Sequence, residues 1–133
     1  MAKISPEDAR ELARLYYDLA VALGQFRFDN WNSFSSAQRN ELESLEWTLL
    51  TQSSDMTTRA ITIAAQDMKP ALKDVSRATR NLTRAVRRIS DVKKSIGFAT
   101  KAIDMGSAIF TGNIEAIAKA VGAAVSAAGL DEK

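Results

Sequence analysis

The sequence has no cysteine and no histidine, two prolines, six glycines, and no apolar window long enough to span a bilayer. Without cysteine there can be no disulfide framework, thiolate metal site or redox motif. Without histidine the usual general base near neutral pH, the commonest metal ligand and every Ser-His or Cys-His triad are gone. So few turn residues disfavour a sandwich or a barrel. No phosphate-cradling glycine loop and no G-x-S-x-G elbow occurs. Glu41, Glu43 and Glu46 lack the histidine partners of a bundle metal site and read as a solvated acidic face. The expectation is a protein that is not an enzyme, with no cofactor, no metal and no evident small-molecule substrate. The N-terminal MAKISPEDAR runs into charge without the apolar core of a signal peptide, so cytoplasmic residence on synthesis is expected.

What is present points to helix. In 133 residues, 46% hydrophobic, Ala, Leu, Arg, Lys and Glu recur, which suits one all-α domain over 1–133. The pattern predicts an elongated up-down bundle of four helices, about 6–23, 36–68, 71–110 and 114–128, two of them long with coiled-coil-like packing. Ser5-Pro6-Glu7-Asp8 is a helix start, and Gly24 is the expected stop. Residues 24–35 then carry Phe26, Phe28, Trp31 and Phe34, four of nine aromatics. This aromatic loop is expected to fold back and plug the core, or else to face a partner or a membrane interface.

Residues 71–110 form the most regular stretch. With Leu72 at position a of a heptad, the d positions read Val75, Leu82, Ile89, Ile96, Ile103 and Phe110, and the g positions are nearly all small. One forty-residue helix would run roughly 60 Å. The turn before it belongs at 51–56 by heptad phase or at 67–70 by helix length, and length favours 67–70. Residues 69–101 hold ten basic and two acidic side chains, whereas 1–68 hold six and ten. A basic stripe, Lys73, Arg77, Arg80, Arg84, Arg87 and Lys94, follows one face. It is expected to be a solvated back offset by the acidic N-terminal half; a nucleic-acid or anionic-lipid surface is the functional alternative.

Beyond Ile96 the polar back disappears. The apolar small-residue hairpin 96–130 therefore supplies the first interface candidate, around Phe98, Ile103, Met105, Phe110 and Ile114. The expected function is protein–protein interaction or homo-oligomer formation through this hairpin. In layout, long helices sheltering an apolar hairpin resemble the helical pore-forming toxins. That resemblance implies a membrane-active or membrane-docking alternative.

Overall fold

The computed structural model describes residues 2–3, 5–58, 62–63 and 68–131. Among these the protein is all-α, with helices α1 (Pro6–Asp29), α2 (Ser36–Thr58), α3 (Met68–Arg88), α4 (Val92–Thr111) and α5 (Ile114–Asp131), plus a 3-10 turn at Trp31–Ser33. A two-residue antiparallel pairing of β1 (Ala2–Lys3) with β2 (Thr62–Ile63) sets Ala2 opposite Ile63 and Lys3 opposite Thr62. The expected four helices are thus five.

α1 begins as predicted, with Ser5 Oγ accepting from Asp8 N at 3.1 Å, but it does not stop at Gly24. That glycine leaves room for a side chain from α2: a Cβ there would lie 3.1 Å from Glu46 Oε1. Arg27, less than a turn on, donates from Nε and Nη2 to Glu46 at 2.7 and 3.2 Å. A helix-interior glycine costs about 1 kcal/mol, and this two-pronged, half-buried ion pair offsets it. The helix stops at Asn30, whose backbone N–H and side-chain amide both donate to Phe26 O. Residues 24–29 are therefore helical, not a loop.

α2 opens on a reciprocal capping box: Gln38 N donates to Ser35 Oγ at 3.1 Å while Ser35 N donates to Gln38 Oε1 at 3.0 Å. It continues through 51–58, so no turn lies at 51–56. The hydroxyls of Thr48, Thr51, Thr57 and Thr58 donate to carbonyls three or four residues back, so these side chains are satisfied within the helix. Residues 68–70 do not form a turn either. Met68–Pro70 opens α3, where the missing proline N–H had no helical partner to lose. The predicted continuation over Ala60, Ile61 and Ala64 lies outside the described residues.

The single helix expected over 71–110 is two helices, broken at Ile89–Asp91, where Asp91 Oδ1 accepts from Lys94 N at 3.0 Å and starts α4. The break re-phases the seam. α3 buries the heptad core, including Leu72, Val75, Ala78, Leu82, Ala85 and Val86. α4 instead buries Ser95, Phe98, Ala99, Ala102, Met105 and Ile109, and leaves the d residues Ile96, Ile103 and Phe110 half-buried. α4 touches α1, α2, α3 and α5 and turns Lys93, Thr100, Asp104 and Ser107 to solvent on its remaining side, so it is apolar around most of its circumference.

Contacts fix the directions. Arg27–Glu46 and Ser53 Oγ donating to Ala13 O at 2.6 Å make α1 and α2 an antiparallel pair. Glu11 paired with Arg80, and Phe26 sharing a cleft with Val86 and Ile89, make α3 parallel to α1. Tyr16 Oη donates to Ala102 O at 2.7 Å and Gln52 Nε2 to Ile103 O at 3.0 Å, seating α4 under the α1–α2 layer. Gly112, at φ +70°, turns the chain into α5, which packs on α3 and α4 and runs beyond the expected stop at Gly129.

Candidate interaction surface

The side chains singled out by sequence separate into three environments. Phe26 and Phe34 are buried edge-to-face, centroids 5.9 Å apart at 82°, closing one end of the core. Phe28 is 76% exposed. Trp31 is exposed under the Arg39 guanidinium, 4.4 Å from the ring centroid, and Arg39 Nη1 donates to the carbonyls of Trp31 and Phe34. In the C-terminal hairpin, Phe98 and Met105 are core, and Ile103, Phe110 and Ile114 are half-buried beside it. That group is not an open surface.

The basic stripe is divided by the break at Ile89–Asp91. Lys73, Arg77, Arg84 and Arg87 are exposed on α3, and Lys94 is exposed on α4. Arg80 is paired with Glu11 and Arg77 with Asp74, so part of the charge is met within the fold, once across to α1. An open cleft of about 530 Å³ between the start of α1 and α3 has Asp8 and Glu11 on one wall and Lys69, Lys73, Arg77 and Arg80 on the other. Across it Arg80 pairs with Glu11. Among the described residues, no three carboxylates gather as a metal site would require.

The large exposed apolar side chains lie mostly elsewhere. Tyr17, Val21 and Phe28 on α1 and Trp47 on α2 are all more than half exposed. Tyr17, Val21, Gly24 and Phe28 fall at i, i+4, i+7 and i+11, one stripe of a helix, and Arg10 and Arg14 extend it towards the N-terminus. On α2 the corresponding stripe reads Asn40, Ser44, Trp47, Thr51, Ser54 and Thr58, every one exposed and none charged. α1 and α2 present these stripes on the side turned away from α4, because Tyr16 on α1 and Gln52 on α2 face α4. The register set by Gly24 and Arg27 against Glu46, and by Ala13 against Ser53, brings Trp47 level with Val21 and Gly24. The result is a two-helix face with aromatics at its centre, small polar groups around them, Arg10 and Arg14 at one end and Glu43 at the other.

The inner side of the same pair carries polar ties. The carboxylate of Glu46 raises the Arg27 guanidinium further above its already high range, chiefly through their hydrogen bond. Burial pushes the Tyr16 phenol well above its ordinary value, so it stays a hydrogen-bond donor. Tyr17, Val21 and Trp47 were not singled out by sequence, because the Leu12, Leu15, Leu19 and Leu23 stripe already accounts for α1 as a core helix. The signal was a second apolar stripe on the opposite face, beside an α2 surface without charge. Comparison of the chain with family models, with curated proteins and with solved structures gives no match.

Proposed function

We propose that this protein is a non-catalytic interaction module that binds another protein through the outer face of the α1–α2 pair. One observation carries the reading: Tyr17, Val21, Phe28 and Trp47 are exposed together next to a helical stripe that has no charge along six positions. Solvated helix faces carry Lys and Glu; surfaces built to be covered lose charge at their centre and gain Tyr and Trp. Tyr17, Phe28 and Trp47, at 53, 76 and 64% exposure, leave about 400 Å² of aromatic surface open, given ~150–250 Å² for each fully buried ring. The largest apolar patch on a typical monomer is of about that size and is often functional. The C-terminal hairpin supports this role less, since its largest side chains are used by the core.

Docking on an anionic membrane is the second reading, favoured by Arg10 and Arg14 beside the same aromatics. It would be surface docking: among the described residues no helix is long and apolar enough to cross a membrane. A photo-crosslinking residue at position 47 or 28, compared with one at the exposed Ser126, tests the proposal in cells. Discrete protein adducts from 47 and 28 but not 126 are expected. Lipid adducts alone, or equal yields at all three positions, would overturn it.

A further inference from the structure

We infer that the occupant of the α1–α2 face is a second copy of this chain, packed about a two-fold axis that passes between Val21 and Trp47. This rests on the proposed interaction face and adds the identity of its partner. The charge layout is self-complementary. Arg14 lies on α1 about seven residues before the centre of the face, roughly 10 Å along the axis. Glu43 lies on α2 on the opposite side of the centre, four residues before Trp47 and roughly 6 Å along the axis, next to Arg27, whose guanidinium feels its charge. A two-fold axis lying in the interface and set obliquely to the helices exchanges the ends of the face and crosses α1 over the partner's α2. In that orientation Arg14 of each copy approaches the partner's Glu43, twice per dimer, and Trp47 and Val21 meet about the axis. An isologous interface requires this pairing of one patch with itself.

Size and charge agree. The roughly 400 Å² of aromatic surface is half of the ~800 Å² per partner in a standard interface, and the small polar stripe of α2 supplies surface around it. With Glu7 pairing Arg10, the face carries Arg14 against Glu43, so two copies meet without net repulsion. A partner of strong charge would find little to complement here.

Charge swaps test the geometry, using exposed positions whose substitution leaves the core untouched. Sedimentation equilibrium of the purified chain should show a monomer–dimer equilibrium. Arg14→Glu alone and Glu43→Arg alone should each raise the dissociation constant at least ~10-fold. The double variant, and an equimolar mixture of the two single variants, should both recover it to within a few-fold, because each restores both cross-pairs. Trp47→Ser should abolish dimerisation while circular dichroism stays native. A purified chain that remains monomeric to millimolar concentration overturns the inference, as does a dimer indifferent to these swaps. If the monomer instead sediments with vesicles containing phosphatidylserine, the face is a membrane surface. If position 47 cross-links to a different protein while the chain is monomeric, the interaction reading stands and self-association falls.

Discussion

Gly106 and Gln52 make a test in which one substitution should change sign with its background. Gly106 sits in the interior of α4, where alanine would gain about 1 kcal/mol of helix propensity. A Cβ at 106 would, however, lie 2.7 Å from the amide carbon, nitrogen and oxygen of Gln52. That amide is buried between α2 and α4, donating to Ile103 O at 3.0 Å, and its Oε1 has no hydrogen-bond partner. The amide is the movable end of the side chain, so the cost of Gly106→Ala is its lost hydrogen bond, about 1–3 kcal/mol, rather than displaced backbone. The balance is destabilisation by about 0–2 kcal/mol in the native background. In Gln52→Ala the obstruction is gone, and Gly106→Ala should stabilise by about 1 kcal/mol, or ~3–5 °C for a chain of this size. Urea unfolding of the four proteins in the cycle gives a coupling of about 1–3 kcal/mol. Additivity to within ~0.5 kcal/mol would refute the reasoning, since the two sites would then not be in contact.

Tyr16 supplies a pH test. Its folded-state phenol titrates above the unfolded one, so its contribution is complete below about pH 10 and is lost as pH rises beyond that. The wild type should lose up to about 1.4 kcal/mol per pH unit more than Tyr16→Phe above pH 10, measured by denaturant melts at matched ionic strength. Glu46→Gln removes the charge opposite a half-buried Arg27 and should cost about 1.5–3 kcal/mol in the same assay. Asp91→Ala removes the cap that starts α4 and should cost about 1 kcal/mol, with Asp91→Asn recovering most of it. Arg39→Lys keeps the charge but not the planar fork that spans two carbonyls and the Trp31 ring, so it should lower the melting temperature nearly as much as Arg39→Ala.

Helix content, the Ser5 start and the α3 seam were legible because each is local. Side-chain oxygens at caps and a 3.5-residue period need no tertiary knowledge. The break at Ile89–Asp91 was hidden because the heptad letters continue through it in phase. Only the burial of Phe98, Ala102 and Met105 in place of Ile96 and Ile103 reveals the rotation. Gly24 was read as a stop because glycine ends helices, yet here it makes room for a carboxylate from α2, information held 22 residues away. The apolar character of 96–110 suggests an interface, but α5 and the α1–α2 layer cover much of it within the chain. The exposed face was missed for the converse reason: absence of charge along α2 is a weak signal until the opposite face is known to be buried.

The central position of α4 sets the order in which this fold can form. Its polar ties reach far back, 86 residues from Ala102 to Tyr16 and 51 from Ile103 to Gln52. α1 and α2 can meet as a local hairpin as soon as both have left the ribosome, but the surface they turn towards α4 then has no match. At ~5–20 residues per second, several seconds pass before residues 92–111 emerge. Through that interval the nascent chain shows apolar side chains on two sides, the outer face it keeps and the inner one it is waiting to cover. Mutations that slow α4 docking should therefore lower the soluble yield more than they lower the stability of the folded protein.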